Sequence, residues 1–240
     1  MFSSYFNESI LGRAQKESKI KINIYDLRDY ADQNDKRRKV DDTPCGGGPG
    51  MVMMVEPIFR CVEKIKSEIK KSNVNKKILI LLTSAKGEIY NQQKAEKIKN
   101  DYTDVIIICG RYEGVDERVA EFIADEEISI GRYILTGGEL PAMIIVDSVT
   151  RLLENVLGNK KSLESESYNS LDKDNLGDRE DRGSMVNRAN KEGEKDMESR
   201  GNNFDYPVYT RPIKFNGWEV PDILLSGNHK KIEEWREEKK

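Results

Sequence analysis

Three glycine-bearing segments hold the residues best suited to grip a ligand. The first is Ile130-Gly131-Arg132-Tyr133-Ile134-Leu135-Thr136-Gly137-Gly138-Glu139-Leu140-Pro141-Ala142, where three glycines and a proline fall within eleven residues. Glycine allows backbone angles and close approaches that a side chain forbids. A loop this short and this apolar reads as one that folds tightly against a bound group, using backbone N–H and C=O groups as contacts. The second segment is Asp41-Asp42-Thr43-Pro44-Cys45-Gly46-Gly47-Gly48-Pro49-Gly50-Met51, followed by an apolar helix start over Met51 to Ile58. It lacks the Gly-Lys-Ser/Thr ending of a nucleoside-triphosphate loop and the spacing of the dinucleotide fingerprint. A flexible turn and a backbone that approaches a flat substrate both fit it. The third, Gly110-Arg111-Tyr112-Glu113-Gly114, closes an apolar run.

Composition narrows the chemistry further. Lys and Arg number 40 against 43 Asp and Glu, and charged residues make up 35% of the chain. That balance does not announce a nucleic-acid binder, but a local basic patch such as Lys36-Arg37-Arg38-Lys39 can still meet a phosphate backbone. Cys45, Cys61 and Cys109 have no metal-ligand spacing, and His229 is the one histidine, so no zinc or other metal site is expected. A sparse, odd cysteine set fits a reducing compartment. No apolar run approaches the ~20 residues needed to span a bilayer, and Met1 to Tyr5 has no signal-peptide pattern. The expected location is cytoplasmic, with no membrane association.

The elements that position these segments follow from periodicity. Asn7 to Ala14 is expected to be a short helix. Lys21 to Leu27 alternates polar and apolar residues and predicts a strand. Pro57 to Asn73 has helical spacing through Ile58, Val62, Ile65 and Ile69. Lys77 to Thr83 predicts a strand buried on both faces, ending in a turn at Ser84-Ala85-Lys86-Gly87. A helix over Tyr90 to Lys99, a strand over Val105 to Cys109, a helix over Val115 to Ala124 and an apolar helix over Pro141 to Leu157 follow. Strand, turn and helix in repetition predict an α/β fold with a mostly parallel sheet and helices on both faces. Ligands in such sheets bind at the carboxyl ends of strands. The turns Thr83 to Gly87, Cys109 to Gly114 and Ile130 to Gly138 therefore define one candidate pocket.

Beyond Gly158 the pattern changes. Residues 159–203 carry almost no periodic apolar content and are expected to form a flexible, largely disordered linker. Residues 204–240 resume with Tyr206-Pro207-Val208-Tyr209 and end in a charged helix over Lys230 to Lys240, with Ser226 and Asn228 as capping residues. The expected organisation is a domain over 1–158, the linker over 159–203 and a small domain over 204–240.

Several strings together resemble the bacterial tRNA (guanine-N1)-methyltransferases, TrmD type, of the knotted SPOUT class. They are VDDTPCGGGPGM, ICGRYEGVDERV, SIGRYILTGGELPAM, IVDSVTRLLENVLGN, YPVYTRP and GWEVPDILLSGNHKKIEEWR, in family order and across most of residues 8–168 and 206–236. The resemblance implies methyl transfer from S-adenosylmethionine to N1 of the guanosine at tRNA position 37, a homodimer with its active site between subunits, and a deep C-terminal trefoil knot. General topology rules exclude such a knot, so it is expected from the resemblance alone. A supporting role for Mg2+ is also implied, although no motif here would bind it by itself.

The resemblance assigns cofactor contacts to Gly110, Ile130, Gly131, Arg132, Tyr133, Ile134 and Leu135, with Leu82, Ser84, Gly137, Gly138 and Pro141 lining the same pocket. N1 of guanine carries a proton at neutral pH, so a base must take it as the methyl arrives, and a cation helps as charge develops on O6. The family pattern gives the cation to Arg151 and the base to the segment Lys161 to Tyr168, where Glu164 and Glu166 compete. Glu166 fits better, because Ser167-Tyr168 supplies the bulky residue expected after the serine. Asp41 matches a position beside the flipped guanosine.

Departures from the pattern set further expectations. The chain opens as though a first strand were cut off, and the C-terminal helical segment is truncated beyond Arg236. Arg132 stands where an acid is common, and Leu171 to Asn203 lengthens the linker. The alternative to an active enzyme is a knotted module that binds cofactor or tRNA without turnover.

Overall fold

A computed structural model of the chain describes residues 1–72, 74–157 and 206–239. The chain divides into two units, Met1–Gly158 and Asn159–Lys240. The first is built on a parallel sheet of β3 (Ile78–Ile89), β4 (Asp104–Cys109) and β5 (Glu126–Ser129), in the order β4-β3-β5. Its helices are α1 (Phe2–Phe6), α2 (Ser9–Lys16), α3 (Val55–Ser72), α4 (Gln92–Asp101), α5 (Glu117–Phe122) and α6 (Glu139–Thr150). A small antiparallel pair, β1 (Asp41–Asp42) with β2 (Val52–Met53), stands apart from the sheet.

The central strand β3 explains the layering. Successive side chains on a strand point to opposite faces. Ile80 and Leu82 join Ile106 and Ile108 of β4, Ile58 and Val62 of α3, and Val119 of α5 in one core cluster. Leu79 and Leu81 face the other way, onto Ile98 of α4, Ile128 of β5 and Ile145 of α6. Apolar residues at consecutive positions are thus the mark of a strand covered by helices on both faces, as the sequence pattern predicts. Asp125 fastens the entry of β5, since its N–H donates to the Ile80 carbonyl and its carboxylate accepts from the Ile80 N–H, both at 2.8 Å. No solvent reaches Leu81, which has 0% exposure. Leu81→Ala is expected to lower unfolding free energy by about 2–5 kcal/mol, measured by urea denaturation.

Four sequence expectations are corrected. Residues 21–26 form no strand, and a short 3-10 helix, Leu27–Tyr30, follows them. The alternating segment finds no sheet partner, and its Ile24 stays exposed. The strand expected to stop at Thr83 instead resumes after a register shift between Thr83 and Glu88 and runs to Ile89 beside β5. The apolar helix ends at Thr150, with Arg151 as its C-cap; turns follow, in which Asn155 takes a positive φ of 59°. Finally, the segment after the glycine cluster enters β2 before α3 begins, because Met53 exchanges bonds with Gly114 and Asp116.

The second unit contains a hairpin of β6 (Lys214–Phe215) and β7 (Trp218–Glu219), then α7 (Asp222–Leu225) and α8 (His229–Lys239). Asn216 and Gly217 turn the hairpin with φ of 50° and 82°, the two positive angles a tight two-residue turn requires. Asn228 caps α8 by accepting from Lys231 N–H at 3.2 Å, as its type predicts. No helix among the described residues is long and apolar enough to cross a membrane.

Candidate cofactor and active site

Two of the turns singled out from sequence follow the carboxyl ends of the parallel strands β4 and β5, the third is the register shift inside β3, and direct bonds join the loop after β4 to the start of α6. Gly138 N–H donates to the Gly110 carbonyl at 2.8 Å, and Arg111 bridges antiparallel to Gly137. Arg111 Nε also donates to Glu139 Oε1 at 2.7 Å, so an ion pair bolts the loop after β4 to the start of α6. A Cβ at Gly138 would lie 2.8 Å from Cys109 Cα and 2.9 Å from Gly110 N. Both neighbours are backbone, and neither can turn aside. That close approach is why glycine stands at Gly138.

The loop after β5 is shaped from within. Ser129 Oγ donates to the Gly131 carbonyl at 3.0 Å and accepts from Gly131 N–H at 3.3 Å. Gly131 takes a φ of 150°, and a Cβ there would meet the Tyr133 ring at 2.5 Å. Folding Tyr133 back over Gly131 pushes the next residues outward, and Ile134 is 82% exposed. Tyr133, Ile134 and Leu135 form an exposed apolar run beside a glycine-lined seam, a combination that marks a binding surface. Arg132 is exposed on the same loop.

The third turn is tied elsewhere. Lys86, in the register shift of β3, donates to Glu117 Oε2 at 2.6 Å, which raises the Lys86 pKa above its ordinary value chiefly through that bond. Ser84 is half-buried next to it. Leu82 and Pro141 are buried, Leu82 inside the core, so their side chains serve packing. Pro141 sits in the first turn of α6, where its missing N–H costs nothing.

The glycine cluster also reaches this edge. It forms the turn of the β1–β2 hairpin, and Met53 N–H donates to the Gly114 carbonyl at 3.0 Å while Glu113 N–H donates to the Met51 carbonyl at 3.1 Å. Asp41, paired with Met53 across that hairpin, is therefore fixed through backbone bonds to the loop that begins at Gly110. Arg151 lies at the far end of α6 from Gly138. Glu164 and Glu166 lie outside the described residues. Three residues not singled out from sequence contribute: Thr83, whose buried hydroxyl donates to the Ile108 carbonyl at 3.1 Å, and the Arg111–Glu139 pair. Opposite charges in two glycine segments were the available signal for that pair.

Cys109 closes β4 beside this seam. Burial, with Glu139 nearby, pushes its thiol up to about 12, and burial pushes Cys61 up to about 11. Both stay protonated at neutral pH, so neither competes as a nucleophile. In native protein at pH 8, iodoacetamide is expected to label exposed Cys45 and spare Cys61 and Cys109, read by peptide mass spectrometry. Among the described residues no group of three or more His, Cys, Asp or Glu side chains is arranged to hold a metal ion, so the expectation of Mg2+ gains no support from them.

The family described as tRNA (Guanine-1)-methyltransferase TrmD matches residues 1–178 and 182–240. The chain belongs to the TrmD family. It is 44% identical over 238 residues to a tRNA (guanine-N(1)-)-methyltransferase of Clostridioides difficile, covering 99% of this chain and 87% of that protein. The same name is carried by a Geobacillus kaustophilus relative, 44% identical over 237 residues, with 99% and 81% covered. Among solved structures, the tRNA (m1G37) methyltransferase of Aquifex aeolicus matches with a TM-score of 0.68 at 34% identity, covering 97% of this chain and 81% of that one. The glycine segments that meet at the sheet edge are thus placed in a TrmD-family fold.

Proposed function

We propose that this chain is a methyltransferase that transfers a methyl group from S-adenosylmethionine to N1 of the guanosine at tRNA position 37. The observation that carries the reading is the family likeness along nearly the whole chain. The bonded seam between Gly110 and Gly138 supports it, because an adenosine needs backbone hydrogen bonds beside an apolar slot. Gly110 and Gly137 bring backbone to that slot, Gly131 and Gly138 shape it through their own bonds to Ser129, Gly110 and Ala142, and Tyr133, Ile134 and Leu135 supply the apolar wall. Arg132 stands where the methionine end of the donor or the RNA would pass, and Ser84 closes the pocket from β3.

In the proposed reaction N1 gains the methyl and its proton passes to the Glu166 carboxylate. The negative charge that develops on O6 is met by Arg151. Asp41 holds the extruded guanine, a reach supported by the anchoring of its hairpin to the loop after Gly110. The exposed Lys36 to Lys39 face meets anticodon-stem phosphates. A donor sulfonium supplies the methyl and leaves as a neutral thioether.

The finer organisation belongs to the same proposal. A trefoil knot is supported by the family likeness. A homodimer is supported by Leu140 and Ile144, one turn apart on α6 and 49% and 45% exposed, since exposed apolar stripes mark interfaces. A tRNA substrate places the protein in the cytoplasm. Incubating the protein with methyl-labelled donor and an unmodified tRNA transcript bearing G37 tests the reading. Label in the RNA is the expected result; donor binding without any label would overturn it.

A further inference from the structure

The basic run Lys36-Arg37-Arg38-Lys39 is not a uniform cationic face. Arg38 is held by the chain itself. Its backbone takes a φ of 52°, a left-handed angle uncommon outside glycine. Its Nε donates to the Arg28 carbonyl at 3.0 Å, and its guanidinium pairs with Asp29. Both partners belong to the 3-10 helix Leu27–Tyr30. Lys39 pairs in the other chain direction, with Asp42 of β1 at 2.9 Å. The turn between these anchors is shaped by Asp35. Its Oδ1 accepts from Arg37 N–H at 2.9 Å and its Oδ2 from Lys39 N–H at 3.0 Å. Its carbonyl accepts from Arg38 N–H at 2.9 Å. Three successive N–H groups thus close on one residue. The two carboxylate bonds, that to Arg37 first, hold the Asp35 carboxyl below its ordinary range, so it is ionised at neutral pH.

Lys36 and Arg37 remain. Both are exposed, and among the described residues neither side chain makes a hydrogen bond or an ion pair, although the Asp35 charge attracts Arg37. Two such cations on a turn already shaped suit a phosphodiester backbone, and a preformed turn lowers the ordering cost of binding. The turn is also in register with Asp41. Val40, between them, accepts from Met54 N–H at 2.8 Å. We propose that Lys36 and Arg37 are the residues of this run that contact tRNA phosphates, and that Asp35 is a positioning residue that presents them. Both roles rest on the tRNA reading above and divide its basic face into contacting and structural charges. The consequence runs against charge counting: removing an acid from a surface that meets RNA weakens the complex.

The test measures binding of the full chain to an unmodified G37 tRNA transcript across a salt series, with a thermal melt of each variant. Lys36→Ala and Arg37→Ala are each expected to lower the slope of log affinity against log salt by about 1. Lys39→Ala is expected to lower it by less than half as much, its charge being paired with Asp42. Asp35→Ala is expected to lower the slope as well and to weaken binding about two- to ten-fold, although it removes a negative charge. Unchanged or tighter binding by Asp35→Ala overturns the positioning role, as does a lowered melting temperature with an unmoved slope. Lys36→Ala and Arg37→Ala at the parent slope, or Lys39→Ala losing as much slope as they do, overturn the division of charges. Should Asp35→Ala fail to fold, those three variants decide. A parent chain that does not bind the transcript would instead sink the tRNA reading itself.

Discussion

Replacing Glu166 with Gln is expected to slow methyl transfer by about 10²–10⁴-fold, the span that a positioned general base contributes. The amide keeps the size and the hydrogen-bonding oxygen of the side chain but cannot take the N1 proton. Donor affinity is expected to stay unchanged, because the proposed cofactor pocket is built from the loops after β4 and β5, which do not include Glu166. Glu164→Gln, two residues earlier, is expected to stay within about two-fold of the parent. Single-turnover rates with labelled donor, alongside calorimetric donor binding, check both. If Glu164→Gln is the damaging change, the base is Glu164 and the alignment of the Lys161 to Tyr168 segment shifts by two.

Gly138→Ala is expected to cost donor binding about 5- to 150-fold, from the 1–3 kcal/mol that overpacking a tight contact costs. The new methyl would sit 2.8 Å from Cys109 Cα and 2.9 Å from Gly110 N, so the seam has to open and its 2.8 Å Gly138–Gly110 bond weakens. Gly110→Ala makes the informative contrast. Its Cβ would meet only the Thr83 carbonyl oxygen and Val115 Cγ1, each at an ordinary 3.6 Å, so the folded protein accepts it. A loss of donor affinity in Gly110→Ala with an unchanged melting temperature would therefore report direct approach of the ligand to that glycine. Calorimetry and thermal melts on the two variants separate a distorted seam from a blocked one.

The core of the fold was legible because its signal is local and strong. Leu79 to Leu82 are apolar without alternation, which means a strand covered on both faces. The glycine turns fall at strand ends, which is where α/β sheets hold ligands. The failures have physical causes too. Lys21 to Leu27 alternates like a strand, but alternation is only half of a strand; the other half is a neighbour to pair with, and none is offered. Thr83 to Glu88 reads as a turn because it contains Gly87, yet a Cβ at Gly87 would lie 2.5 Å from the Glu127 backbone. That glycine serves close packing of the shifted strand on β5. The joining of the Gly110 and Gly138 segments depends on contacts 28 residues apart in sequence, as in the Arg111–Glu139 pair, and no local pattern encodes them. Asp147 accepts from Tyr5, 142 positions away, a contact that no local pattern encodes either. Asn216-Gly217 is the opposite case, a two-residue hairpin signal present in the sequence and passed over.

The central claim is a methyl group on N1 of one guanosine, and primer extension tests it most directly. N1 lies in the Watson–Crick edge, so a methyl there blocks base pairing and halts reverse transcriptase. With the protein, S-adenosylmethionine and an unmodified tRNA transcript, the account predicts a donor-dependent stop adjacent to position 37, absent when G37 is replaced by A. A stop at another guanosine, or full read-through from a transcript that carries methyl label, would contradict it.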